Sequence, residues 1–157
     1  MFFLGKRSIS NLETCHEDLN VVAHAAVKVS DVDFTIIEGA REISRQQMLF
    51  DTGKSKVNPK AYKDVLSLLK AGKHLIHEKY RPKSHAFDFC AYIKGKPNLA
   101  FDHYHLMYLT GVFTSIGNDL HQKGIIKHKI VSGSNWDKDG ELKYDQRFFD
   151  APHIQIV

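Results

Sequence analysis

Cysteine is nearly absent from this chain, and the two that occur, Cys15 and Cys90, form neither a CxxC pair nor a spaced framework. A disulfide-stapled scaffold is thereby excluded, and the chain reads as one folded for a reducing cytosol. Long hydrophobic runs are missing too: nothing approaches the ~20 apolar residues of a membrane span. Met1-Phe2-Phe3-Leu4 gives way at once to Gly5-Lys6-Arg7, too short a stretch for an export signal. There is no block of like charge. The 22 basic and 18 acidic residues leave a net charge of +4, scattered rather than striped with aromatics. That pattern argues against a nucleic-acid binder and for a polyanionic neighbour such as an anionic cell wall. What is present, 157 residues with 43% hydrophobic and 25% charged, suits one soluble domain spanning 1–157 around one core.

Periodicity organises the rest. Ser8 is placed to cap a helix whose apolar face includes Ile9, Leu12, Leu19 and Val22, with a break near His16. Asp33 to Glu38 is rich in β-branched residues and reads as a strand ended by Gly39, with Arg41 at its mouth. A short helix from Ser44 stops at Gly53. Gly53-Lys54-Ser55 lacks the glycine five positions earlier that a phosphate loop needs, because Met48 stands there. Tyr62 to His77 reads as a helix interrupted by Gly72, with His74 and His77 near its end and free to leave it. His103 to Lys123 is the longest amphipathic helix, and Ile125 to Val131 reads as a further strand. In the loop that follows, Asp137 and Asp139 are out of register for a calcium loop, and Trp136 is suited to wall a groove.

Two stretches carry chemistry. His85 to Tyr92 is apolar enough for a central strand yet holds Asp88, a charge that is costly there unless paired with an arginine, Arg41 or Arg81, or bound to a metal. Period two puts Asp88 on the face opposite His85, which argues against His85 as its co-ligand. At the chain end, His153, Gln155 and Val157 alternate with Ile154 and Ile156, a strand with one apolar and one polar face. Asp150 lies three residues before His153. A carboxylate and an imidazole so placed suit a metal site with an acid/base beside it.

Taken in order, these pieces resemble the phage and bacterial zinc peptidases that cut peptidoglycan stem peptides. These are the L-alanyl-D-glutamate endopeptidases and D-alanyl-D-alanine carboxypeptidases of the hedgehog-type fold. The resemblance runs through Leu4-Gly5-Lys6-Arg7-Ser8, His16-Glu17-Asp18-Leu19, Asp33-Phe34-Thr35-Ile36 with Gly39, Arg41, Gln47, Gly53 and Ser55. It continues through Ala86-Phe87-Asp88-Phe89, Asn135-Trp136-Asp137 and Asp150-Ala151-Pro152-His153. It implies an α+β fold in which an antiparallel sheet carries the site and helices pack on its other side. It implies a zinc ion held by a histidine, Asp88 and His153, with Asp150 moving the proton of the attacking water and Arg41 stabilising the oxyanion. The family's first metal histidine usually lies about seven residues before the metal aspartate, where this chain has Arg81. An insertion at about 57–84 would restore the ligand from His74, whose Gly72-Lys73-His74-Leu75 setting resembles the family's Ser-Lys-His-Leu, or from His77. The implied activity is hydrolysis of the L-Ala-D-Glu bond by a monomer. The chain would accumulate in the host cytoplasm without inserting in the membrane, then reach the wall through a membrane pore. D-Ala-D-Ala carboxypeptidase and an inactive wall-binding module are the alternatives. A thiol hydrolase on Cys90 is disfavoured because a thiol buried in a strand is inert.

Overall fold

The structure, a computed structural model, describes residues 1–136 and 149–157. Asp137 and Asp139, out of register for a calcium loop, lie outside the described residues. Helices α1 (Lys6–Leu12) and α2 (Glu17–Val29) lead into β1 (Phe34–Glu38), followed by α3 (Ile43–Asp51) and α4 (Val65–Ala71). Then come β2 (Ala86–Ala91), α5 (His103–Gln122), β3 (Ile130–Gly133) and β4 (Asp150–Ile156). The strands form one antiparallel sheet in the order β1-β2-β4-β3, so the α+β architecture implied by the family resemblance is the one observed.

The alternation in β2 and β4 divides the sheet into a wet and a dry face. Phe87, Phe89, Ile154 and Ile156 are at most 1% exposed and meet α2 and α5. Phe113 of α5 is the hub, with its ring centroid 4.8 Å from Phe34, 5.3 Å from Phe87 and 4.9 Å from Phe89. Burying such side chains contributes about 1.5–3 kcal/mol each, which fixes which way the sheet faces. Asp88, His153 and Gln155 necessarily point the other way. Leu68, Leu69 and Leu75 form a second, smaller cluster with Val57 and Tyr62, separate from the main core.

Several boundaries differ from the periodicity. The helix expected from Tyr62 to His77 is only α4. Its chain turns out at Gly72, where an added Cβ would lie 2.6 Å from Leu75 Cδ1, and His74 follows in non-helical backbone. The strand expected at Ile125–Val131 begins instead at Ile130, because Asp18 of α2 accepts the amides of Lys127 (3.0 Å) and His128 (2.9 Å) and holds that approach as a loop. Ser8 is not the cap of α1; Gly5 is, and the buried Ser8 hydroxyl accepts the Ile36 amide at 3.0 Å, tying α1 to β1. The break at His16 is real: its imidazole caps α2 by accepting the Asp18 amide.

Candidate metal centre on the sheet face

Strand register assembles the centre. Asp88 of β2 pairs with His153 of β4, and a bulge between Ile36 and Glu38 in β1 sets Glu38 opposite Asp88. Directly paired residues share a face, so Glu38, Asp88 and His153 stand side by side across three adjacent strands. The bulge supplies the re-aiming, since an uninterrupted register would put Ile37 there. His74 arrives from outside the sheet. The segment after α4 runs along the end of β1, where the Arg41 amide donates to the His74 carbonyl at 2.9 Å, and this delivers the imidazole over the sheet.

Three ligand atoms converge. His74 Nε2 lies 3.1 Å from Asp88 Oδ1, His153 Nδ1 lies 3.0 Å from the same oxygen, and the two nitrogens are 3.2 Å apart. Ligands held at 2.0–2.1 Å around a tetrahedral zinc are separated by about 3.3 Å, so this triangle has the size of one face of such a site. The outer atoms set the tautomers. His74 Nδ1 lies 2.7 Å from the Gly39 carbonyl, which can only accept, so Nδ1 carries the hydrogen and Nε2 presents its lone pair inward. His153 Nε2 donates to Gln155 Oε1 at 3.2 Å, which turns the Nδ1 lone pair toward the same point. Two imidazole lone pairs and a carboxylate oxygen aimed at one point, with each ring fixed from behind, match the donor set and outer support of a divalent metal site.

Charge reinforces the geometry. In the metal-free protein a proton held between the rings and Asp88 takes the place of an ion: burial opposes ionisation of Asp88, but the charges and hydrogen bonds of the imidazoles outweigh it and hold the carboxyl well below its ordinary range. Its second oxygen accepts from Arg41 Nη2 at 3.1 Å. Arg41 is itself pinned: Nε and Nη2 donate to Glu38 Oε2, and Nη1 donates to Gln46 Oε1 at 2.9 Å. Four of its five N–H groups are thereby engaged. Gln46, 1% exposed, in turn holds Ser55 and the Val57 carbonyl. Asp150 behaves in the opposite sense to Asp88. Burial first, and then the negative charge of Asp88, push its carboxyl above the usual range. It starts β4 opposite Gly133, where a side chain would clash, since a Cβ there would lie 2.2 Å from the Asp150 carbonyl oxygen. Asp150, Arg41, His74, Asp88 and His153 all line one cavity of about 730 Å³. Trp136 walls it, with its ring 5.1 Å from that of His153.

His77 is not part of this group. Its backbone pairs with Arg81 and its ring lies 5.0 Å from Tyr80. Arg81 donates to the Gly72 carbonyl at 2.9 Å and so braces the segment that carries His74. His85 faces away from Asp88, as period two requires, and meets His16 and His128. With Asp18, those last two make a second histidine–carboxylate group, but its hydrogens are arranged differently. His128 Nδ1 lies 2.8 Å from Asp18 Oδ2, while His16 Nδ1 accepts the Asp18 amide, which leaves the His16 hydrogen on Nε2. Its lone pairs do not converge, and the group acts as a latch between α2 and the loop before β3. Glu38, Gln46 and Gln155 are supporting residues the sequence reading passed over. Gln155 was open to it, being two residues from His153 on the same strand face.

Two imidazoles and a carboxylate converging on one point, with a buried acid of raised pKa in the same cavity, are a donor set consistent with the class of metal-dependent hydrolases. The profile of the phage L-alanyl-D-glutamate peptidases matches residues 1–157, and the chain belongs to that family. It is 26% identical over 158 aligned positions to the L-alanyl-D-glutamate peptidase of Escherichia phage T5, covering 99% of this chain and 98% of that one. Its fold is that of the Serratia marcescens L-Ala D-Glu endopeptidase ChiX, with a TM-score of 0.65 over 100% of this chain and 90% of that chain, at 21% identity.

Proposed function

We propose that this peptidase hydrolyses the amide between L-alanine and D-glutamate in peptidoglycan stem peptides, with zinc held by His74, Asp88 and His153. The observation that carries the reading is the convergence of three ligand atoms, His74 Nε2, His153 Nδ1 and Asp88 Oδ1, within 3.0–3.2 Å of one another, in a chain of this family. When bound, zinc supplies a Lewis acid that makes water acidic enough to attack at neutral pH and polarises the carbonyl it attacks.

The residues do the rest. Asp150, buried and raised in pKa by burial and by Asp88, is poised to take the proton of the attacking water and hand it to the leaving amine. Arg41 has a double role. Its bonds to Glu38 and Gln46 make it a rigid brace that orients Asp88, and its positive charge in the same cavity serves to stabilise the developing oxyanion. Trp136 narrows the cavity over His153 and limits water around the reacting amide.

The enzyme acts as a monomer, and its net charge of +4 assists contact with an anionic wall. Among the described residues no helix is long and apolar enough to cross a membrane. On this reading a separate pore in the host membrane brings enzyme and wall together. The test is digestion of purified sacculi followed by mass spectrometry of the released peptides. New amino-terminal D-glutamate, abolished by chelation and restored by zinc, is the expected product. Release of terminal D-alanine alone would make the enzyme a carboxypeptidase, and no product of either kind would leave a wall-binding protein.

A further inference from the structure

The cavity extends beyond what the scissile dipeptide needs, and its far rim is aromatic. Phe101 lines the cavity that holds Asp150 and His153, yet it is 60% exposed. Two residues on, α5 begins with His103 and Tyr104, the latter 82% exposed. The rings of His103 and Tyr104 lie 6.0 Å apart, and His103 lies 5.9 Å from Phe149, the neighbour of Asp150 in sequence. The aromatic series thus starts beside the candidate acid/base and leads outward to open rings. The N-cap carboxylate of Asp102 holds the His105 amide at 3.1 Å and sets this end of the helix at the rim. Exposed rings next to a catalytic cavity mark a contact surface rather than core.

The substrate chemistry says what must lie near such a rim. In peptidoglycan the L-alanine nitrogen is acylated by the lactyl group of a muramic acid. Only one residue and that linker separate the scissile carbonyl from a sugar ring, a distance on the order of 7 Å. A pyranose presents a face of C–H groups whose partial positive charge matches the negative face of an aromatic ring, while its hydroxyls stay in water. An uncharged amphiphilic ring on a short tether is what an exposed Phe at the cavity wall and an exposed Tyr on the first turn of the helix that follows can bind, whereas the carboxylates on the D-glutamate side require cations.

From this, and resting on the proposed L-Ala-D-Glu cleavage, we infer that Phe101 and Tyr104 form a subsite for the muramyl sugar on the L-alanine side of the scissile bond. They make the enzyme prefer stem peptides still attached to glycan.

The test compares two soluble substrates cut at the same bond, the stem peptide carrying N-acetylmuramic acid on L-alanine and the same peptide capped by N-acetyl. The acetyl cap keeps charge equal, so only the sugar differs. The wild-type protein is expected to have the lower KM for the muramyl substrate. In Tyr104→Ala that advantage falls by about threefold to tenfold, the usual worth of a ring contact, with kcat and the capped peptide unaffected, and in Phe101→Ala the muramyl substrate loses more than the capped peptide. Equal losses on both substrates would overturn the subsite and make Phe101 a part of the cavity's shape. No loss on either would overturn it outright. Conversion of a dimer to a monomer by these substitutions, with both substrates affected alike, would assign the rings to a second copy of the chain and also overturn it. Should wild-type enzyme cut neither substrate, the bond assignment itself fails, which is distinguishable from loss of sugar preference alone.

Discussion

Gln155 is the residue on which the tautomer argument can be broken without touching a ligand. Its side chain is buried at 9% exposure, and its Oε1 accepts the His153 Nε2 hydrogen at 3.2 Å. In Gln155→Leu the shape is nearly kept, but the imidazole loses the partner that orients Nδ1 toward His74 and Asp88. Two effects follow. Removal of a ring's outer partner weakens metal binding by about 10–100-fold, equivalent to about 1.4–2.7 kcal/mol. The abandoned Nε2–H costs the metal-free protein about 1–3 kcal/mol, because a buried donor is left unsatisfied. Zinc affinity is read by competition with a chromogenic chelator, and metal-free stability by urea unfolding in the presence of a strong chelator. Gln155→Glu is the control: it keeps an acceptor at the same place and should retain affinity within a few-fold of wild type. If Gln155→Leu binds zinc as tightly as wild type, then His153 does not bind it through Nδ1 and the convergence argument is refuted.

Other consequences are open to measurement. Asp150→Asn keeps the shape but removes the proposed base, so kcat should fall by about 10²–10⁴ while zinc content stays as in wild type. A fall in zinc content instead would make Asp150 a ligand. Gly117 of α5 packs so closely on β3 that an added Cβ would lie 2.3 Å from Ile130 Cγ1 and 2.6 Å from its Cβ. Gly117→Ala should therefore cost about 1–3 kcal/mol through overpacking, lowering Tm by about 2–4 °C per kcal/mol for a chain of this size. An unchanged Tm would show that helix and strand can separate freely. His85 gives a pH dependence. Burial, then the nearby charges of Arg81, His16, Lys73 and His128, depress it from 6.5 to about 4. Between those values the unfolded chain binds the proton more strongly, so the stability from neutral His85 is present above pH 6.5 and is lost as pH falls toward 4. Thermal melts at pH 7 and pH 5 should show a smaller drop for His85→Gln than for wild type. An equal drop would place the acid sensitivity elsewhere.

The two halves of the site differ in how far they could be read from the residues alone. The β2 and β4 residues were legible because a strand has a fixed period. Once Phe87, Phe89, Ile154 and Ile156 must face a core, Asp88 and His153 share the opposite face, and His85 is excluded. The choice between His74 and His77 had no such local rule. It depends on where the chain goes after Gly72, and that is decided by the long-range pairing of Arg41 with Leu75 and by Arg81 bracing the Gly72 carbonyl. Apolar spacing extended α4 too far because Leu75 is buried as the helix pattern requires, but in the small cluster and from non-helical backbone. The misplaced strand after Ile125 has a similar origin. Ile126 is buried at 2% exposure, but the backbone beyond it is claimed by Asp18, 109 residues earlier in the chain. Arg41 was visible as a cation at a strand end. Its pinning by Glu38 was not, since that depends on a bulge that no residue pattern in β1 announces.

The most direct measurement is the zinc content of purified wild-type protein beside His74→Ala and His77→Ala, paired with lysis of outer-membrane-permeabilised cells before and after chelation. The account predicts about one zinc per chain in wild type and His77→Ala, little in His74→Ala, and lysis that follows the metal. Loss of zinc in His77→Ala with retention in His74→Ala would contradict the ligand set. Chelator-indifferent lysis by a metal-free wild-type protein would contradict the metal centre itself.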